Sequence, residues 1–205
     1  MVDIGIGNIN SLAVALKDVG VPSRRIVNPL DIDRFDRTIL PGVGNFGEFS
    51  RQLRFLGFEE PLTDFVRNQR GNLLGICVGA QILFEASEES PLEEGLGIIS
   101  GKVLKVPGDQ SVPVPRIGWD RLALVRPSPL TAEVAENSNR YFFAHSYFMN
   151  PTDSASVIAV SASNPFIPAI VSIAGVTALQ FHPERSSNYG KQILLNFARR
   201  APDAT

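Results

Sequence analysis

The chain has 205 residues, 44% of them hydrophobic, with 19 Lys+Arg against 21 Asp+Glu and a single cysteine. That length and apolar content suffice for one core-bearing domain over 1–205 without disulfides or metals, and the near balance of charge provides no field to gather phosphate backbones or anionic lipid, so nucleic acid and membrane surfaces are not expected partners. One cysteine excludes an intrachain disulfide framework and a multi-cysteine zinc site and points to a reducing compartment, the cytoplasm; no apolar run approaches the roughly twenty residues of a membrane-spanning helix, and no signal peptide is legible.

In chain order, Leu12, Ala15, Leu16 and Val19 share one face and predict a helix over 10–19 that Gly20 ends. Residues 37–40 read as a buried strand running into Pro41-Gly42-Val43-Gly44. The helical period of 46–68 predicts two pieces broken near Gly57 or Pro61. A strand over 72–76 runs directly into Cys77, with an apolar helix expected over 80–86. From about Ile98 the texture becomes β-rich, with strands expected over 98–106, 122–125, 140–143, 157–161 and 169–174. A strand over 176–181 and a helix over 189–199 close the pattern. The fold class is α/β: a central mostly parallel sheet flanked by helices, with an additional β-rich layer on one side.

Gly75-Ile76-Cys77-Val78-Gly79 sets the cysteine between two glycines, after a strand and before a helix. Small neighbours permit a tight strand-to-helix turn that exposes a nucleophile, and a helix N-terminus beyond it favours the thiolate. A small buried thiol of purely structural role fits the same five residues. His182 and Glu184, in Gln180-Phe181-His182-Pro183-Glu184-Arg185, also follow a predicted strand. There His182 is the candidate base for the thiol and Glu184 the carboxylate that orients the ring, although a solvated surface turn has the same composition. The third candidate element is the Pro41-Gly42-Val43-Gly44 turn. Acyl transfer needs donors aimed at the developing oxyanion, and the amides of Val43 or Gly44 with that of Val78 are the nominees. All three elements stand at the carboxyl ends of predicted strands, where α/β sheets gather their sites.

With these motifs and others in order, the chain resembles the class I, or triad, glutamine amidotransferases, and within them the branch of imidazole glycerol phosphate synthase glutaminase subunits. The matching segments are Asp3-Ile4-Gly5-Ile6-Gly7-Asn8 with Asn10-Ser11, residues 40–46 and 75–83, Ser87-Glu88-Glu89 with Gly95-Leu96-Gly97, Pro115-Arg116-Ile117-Gly118-Trp119-Asp120, and residues 141–147 and 180–186. The resemblance implies a Cys77, His182, Glu184 triad that forms a γ-glutamyl thioester from L-glutamine and releases ammonia and glutamate, with no cofactor and no metal. It also implies that Gln81 and Glu88 hold the glutamine and that His145, Ser146 and Tyr147 line the same pocket. A (β/α)8-barrel synthase subunit is the implied heterodimer partner, with Trp119 as the interface residue. That subunit would use the ammonia to make imidazole glycerol phosphate and aminoimidazole carboxamide ribotide in histidine biosynthesis.

Three departures from that branch are legible: a short first strand, Arg116 where histidine is usual, and Asp120 where asparagine is usual. Arg116 keeps open a paralogous subunit feeding ammonia to a sugar-modifying synthase; a catalytically silent scaffold is a further alternative, against which an intact Cys77, His182 and Glu184 argues.

Overall fold

The computed structural model describes residues 1–108, 113–134 and 140–199. In chain order it contains α1 (Ile9–Asp18), β1 (Arg37–Gly42), α2 (Phe46–Phe55), α3 (Glu59–Arg67), β2 (Asn72–Cys77), α4 (Val78–Gln81), β3 (Ala86–Ser87) and β4 (Gly101–Lys105). There follow β5 (Arg116–Asp120), β6 (Leu122–Leu124), β7 (Tyr141–His145), β8 (Tyr147–Pro151), β9 (Val157–Ser161), β10 (Pro168–Ile173), β11 (Val176–Leu179) and α5 (Ser187–Arg199).

The helices form where an apolar stripe meets a proper start or stop. In α1, Ile9, Leu12, Ala15 and Leu16 turn inward. In α2, the Asn45 side chain accepts from the N–H groups of Gly47 and Glu48, capping a helix that buries Phe46, Phe49 and Leu53. Of the two places where one break is expected, the chain breaks at Gly57, at φ +74°. Pro61 sits in the first turn of α3, where its missing N–H costs nothing.

Six strands form the main sheet in the order β1-β2-β11-β10-β9-β6. β1 with β2 and β2 with β11 are parallel, while the pairings beyond β11 are antiparallel. The expected α/β sheet is therefore mixed, with parallel pairing confined to the half that carries the candidate residues. The cause is local: β10 and β11 are joined by Ala174-Gly175 alone, both at positive φ, and so short a loop permits only an antiparallel hairpin. Of the strands expected in the β-rich layer, those at 122–125, 157–161 and 169–174 extend the main sheet instead, as β6, β9 and β10; the layer itself consists of two smaller sheets, β3-β4-β8 and β5-β7.

Every residue of β2 and of β11 is buried, as central strands covered on both faces require. Phe46, Phe49, Phe58, Phe65, Phe84, Tyr141, Phe143, Phe181 and Phe197 supply the largest side chains of the core. The helix expected over 80–86 is corrected by the structure. α4 ends at Gln81, and the chain turns through two tight bends, Leu83 N–H to Ala80 O at 3.3 Å and Phe84 N–H to Gln81 O at 3.1 Å. Ile82, Leu83 and Phe84 are all buried, so this run has no polar face to leave in water as a surface helix would. Among the described residues no helix is long and apolar enough to cross a membrane.

Candidate active site

The register of the parallel strands decides what meets. Gly42 stands opposite Cys77, and Leu179 opposite Ile76, so β1, β2 and β11 all finish at one edge of the sheet. The Pro41 to Gly44 turn, Cys77, and the His182 turn are thereby delivered to one place.

At Cys77 the backbone takes φ 54°, ψ −112°, a conformation that a side chain disfavours by about 1–3 kcal/mol. The reversal is possible because the neighbouring backbones are stripped of side chains. A Cβ on Gly79 would run into the carbonyl oxygen of Leu40, and one on Gly42 into the amide nitrogen of Gly79. The elbow and the glycine turn of β1 are thus in backbone contact. With four residues, α4 is too short to carry the helix-dipole argument for the thiolate. His182 and the Arg185 guanidinium line the same cleft as the sulfur.

His182 is held from its main chain. Its N–H donates to Phe142 O at 2.9 Å, and the Ser186 hydroxyl donates to His182 O while accepting from Phe142 N–H at 2.9 Å. The tight turn Pro183–Arg185 then brings Glu184 back, so that His182 Nδ1 lies 3.0 Å from Glu184 Oε1. Nδ1 donates to the carboxylate, leaving the other ring nitrogen for Cys77. Burial alone would lower the pKa of His182. Hydrogen bonds to Cys77 and Glu184 and their negative charges outweigh it and push the value up to about 10. The sequence-derived triad is therefore one contiguous cluster, inside the protein rather than in a solvated turn. Cys77 Sγ also lies 3.9 Å from Ala144 O.

A cleft of about 300 Å³ opens on this cluster, and Val43, Gly44, Val78, Gln81, His145, Ser146 and Tyr147 all line it. Gln81 is buried, and its Nε2 donates to Tyr147 O at 2.9 Å and to Gln180 Oε1 at 3.2 Å. His145 is buried as well, with Nδ1 2.9 Å from Tyr147 O; burial and then the charge of Arg116 lower its pKa to about 4.

Glu88 is the expected residue that the structure does not bring to the cleft. It is exposed, and its Oε2 accepts from the backbone N–H of Lys105 at 2.6 Å. Its neighbour Glu89 lines the cleft instead, accepting from Phe46 N–H at 2.7 Å. The N–H of Glu89 donates to the buried Ser87 hydroxyl at 3.1 Å, which turns residue 89 inward and 88 outward. Two adjacent glutamates offered no way to choose between them before that bond was visible. Arg185 and Ala144 are further lining residues that the sequence motifs did not single out.

Trp119 lies outside the cleft, half exposed, with its ring edge against Phe142 at 5.8 Å. The Arg185 guanidinium covers Phe142 at 4.0 Å from the ring centroid. A second cavity, about 400 Å³ and lined by Met1, Leu16, Phe35 and Phe197 among others, shares no residue with the cleft. Among the described residues no group of three or more His, Cys, Asp or Glu is placed to hold a metal ion.

Residues 1–201 match the family Glutamine amidotransferase class-I. The imidazole glycerol phosphate synthase subunit HisH of Geobacillus sp. (strain WCH70) is 39% identical over 202 residues, covering 97% of this chain and 94% of that protein. Its namesake from Bacillus subtilis (strain 168) is 35% identical over 207 residues, covering 99% of this chain and 96% of that one. Among solved structures, a crystal structure of a glutamine amidotransferase superposes with a TM-score of 0.75 at 20% identity, covering 96% of this chain and 97% of that one. Another glutamine amidotransferase, from Thermotoga maritima, gives 0.60 at 16% identity, covering 94% and 76%. At those identities the two structures speak for the fold alone.

Proposed function

The chain belongs to the class-I glutamine amidotransferases, and from that premise we propose that it is the glutaminase subunit of an imidazole glycerol phosphate synthase. The observation that carries the chemistry is the Cys77, His182, Glu184 cluster, whose Cys77 and His182 line the cleft while the buried Glu184 carboxylate backs His182.

In the proposed reaction, Cys77 Sγ attacks the side-chain carbonyl carbon of glutamine. The amides of Val43 or Gly44 and of Val78 receive the oxyanion. Collapse breaks the C–N bond, His182 gives its proton to the departing nitrogen, and ammonia leaves a γ-glutamyl thioester. Thioester formation removes the sulfur's negative charge and its hydrogen bond to the ring, two of the causes that hold the His182 pKa high. The ring becomes a stronger acid, and its neutral form is free to take a proton from water. The hydroxide so formed attacks the thioester, the C–S bond breaks, and glutamate departs as the sulfur regains its negative charge beside the protonated ring. One imidazole serves both half-reactions because its partner changes charge between them. Gln81, Glu89 and the 145–147 segment are the residues placed to hold the glutamine.

The ammonia is passed, in this proposal, to a (β/α)8-barrel synthase subunit that makes imidazole glycerol phosphate and aminoimidazole carboxamide ribotide. Support comes from relatives of that printed name aligned over nearly the whole chain. Trp119 and Ile117, both exposed beside the cleft's outer wall, are the proposed contact. Arg116 and Asp120, the departures that suggested another acceptor, bond to each other inside the chain and leave a partner little to read. One domain and a cytoplasmic location, where a single thiol stays reduced, complete the reading.

The test uses a glutamine analogue bearing an electrophilic diazoketone, followed by intact mass and peptide mapping. One equivalent bound at Cys77 is the expected result. No labelling, with the ribotide and the barrel subunit both present, overturns the glutaminase reading. Co-purification with that barrel subunit, together with glutamate release that rises with the ribotide, tests the assembly.

A further inference from the structure

β5 pairs with β7 so that Arg116 stands opposite His145. Strand alternation turns Arg116 and Asp120 inward and Ile117 and Trp119 outward. Arg116 is 8% exposed, and its guanidinium lies 4.3 Å from the ring centroid of Phe143. Its NH2 donates to Asp120 Oδ2, to Ser161 Oγ at 2.8 Å and to Ser163 Oγ at 3.4 Å. Asp120 Oδ2 also accepts from both hydroxyls, at 2.6 and 2.8 Å. The other arm of the guanidinium, NH1, lies 3.4 Å from His145 Nε2.

An arginine can only donate, so His145 Nε2 must accept; the Tyr147 carbonyl can only accept, so His145 Nδ1 must donate. One neutral tautomer satisfies both contacts. Protonating the ring would set an N–H against the guanidinium. The same Tyr147 carbonyl receives Gln81 Nε2 at 2.9 Å, and Gln180 Oε1 receives it at 3.2 Å. Two acceptors on one nitrogen fix which end of the Gln81 amide is which, one turn beyond the nucleophile. From Asp120 to the wall of the cleft the contacts run without a gap.

We propose that Arg116, coupled to Asp120, is a positioning residue for glutamine binding: it locks His145, which with Gln81 anchors the Tyr147 carbonyl and so sets the cleft wall beside Cys77. The inference rests on the glutaminase reading. A buried ion pair of this kind has a bland role as well, tying β5 to β9, and removing one partner strands the other's charge at a cost in stability. Binding and stability must therefore be read separately.

The experiment titrates the diazoketone analogue against the full chain and reads both the half-saturating concentration and the limiting rate of Cys77 labelling, beside thermal midpoints. The variants are Arg116→Met, Asp120→Asn, the double variant, and Arg116→Lys. Arg116→Met is expected to raise the half-saturating concentration about tenfold, the scale of one lost orienting hydrogen bond, with the limiting rate little changed. The double variant leaves no stranded charge. Its midpoint is expected to recover towards wild type while half-saturation stays raised. Arg116→Lys keeps the charge but not the fork, and is expected to fall between; it carries the test if Arg116→Met does not fold. Recovery of half-saturation together with the midpoint in the double variant overturns the proposal, as does a loss confined to the limiting rate. A wild-type chain that never labels, even with the ribotide and the barrel subunit present, sinks the glutaminase reading, and this inference with it, before any variant is compared.

Discussion

His182 Nδ1 rests 3.0 Å from Glu184 Oε1, with the two side chains only 6% and 3% exposed. The second carboxylate oxygen of Glu184 is buried with no hydrogen-bond partner among the described residues, so the carboxylate's one protein hydrogen bond is spent on the imidazole. Glu184→Gln preserves an acceptor at that distance and removes the charge. Glutamate release is expected to fall by about a hundred- to ten-thousand-fold. The sign of the pH effect follows from the causes. Glu184 contributes a hydrogen bond and a charge that raise the His182 pKa, so without the charge the ring loses its proton at lower pH. The alkaline limb of Cys77 labelling, expected near pH 10 in wild type, should move down. A limb that stays in place would assign Glu184 to packing.

The strain at Cys77 gives a prediction that separates stability from activity. At φ 54°, ψ −112° any Cβ is disfavoured, so Ala bears the same backbone cost as Cys, whereas Gly does not. Both Cys77→Ala and Cys77→Gly should abolish glutamine use while ammonia-dependent synthesis by the complex persists. Chemical denaturation should then find the Gly variant more stable than the Ala variant by about 1 kcal/mol, against the usual preference for Ala. The usual order would mean that the elbow relaxes when the sulfur is removed.

Gly79 is where the elbow touches the turn of β1. Its Cβ would overlap Leu40 O and come within 3.1 Å of Gly42 N, both backbone atoms that no side-chain rotation can clear. Gly79→Ala must therefore push the oxyanion turn away from Cys77. A loss of about 1–3 kcal/mol in stability is expected, with glutamate release reduced at least as much as one lost oxyanion donor would reduce it, roughly a hundredfold. Near-normal turnover would remove the 41–44 turn from the oxyanion assignment.

What was legible in the sequence follows the range of the forces involved. Cys77, His182 and the glycine turn were readable because each sits at the end of an apolar run, and strand ends in α/β folds converge without further information. The mixed sheet was not, since strand order depends on pairings between distant segments. β5 escaped notice because Arg116 and Asp120 are its inward residues, an inversion of the usual apolar-in pattern that only their mutual bonding and the serines at 161 and 163 make tolerable. β8 was hidden behind β7, from which Ser146 alone separates it. The choice between Glu88 and Glu89 turned on one hydrogen bond to Ser87, which period and spacing do not encode.

His145 carries an acid-side signature. Burial and the charge of Arg116 lower its pKa from 6.5 to about 4 in the folded chain. Below pH 6.5 the unfolded state binds a proton that the folded state refuses, so stability is complete above that pH and declines as pH falls towards 4. The accumulated loss is on the order of 3 kcal/mol. His145→Asn removes the titration, with an amide nitrogen placed roughly where Nδ1 donates. Its thermal midpoint should vary less between about pH 7 and 4 than that of wild type, and parallel curves would show that another group dominates the acid limb.

Trp119 makes the last prediction, because its contacts run inward as well as out. It is 49% exposed and Ile117 66%, an apolar pair on the outer face of a two-stranded sheet. Its ring meets Phe142, whose own ring lies 6.4 Å from that of His182 and beneath Arg185. A partner seated on Trp119 would therefore press on the strand that holds His182 by its backbone. Trp119→Ala should weaken the complex with the barrel subunit by about thirtyfold or more, the scale of a central aromatic anchor. Labelling of Cys77 in the isolated chain should change little, since Trp119 does not touch the cleft. Stimulation of glutamate release by the partner should fall even when enough barrel subunit is present to saturate binding, because the push through Phe142 is gone. Full stimulation at saturation would confine Trp119 to adhesion and move the coupling to another contact.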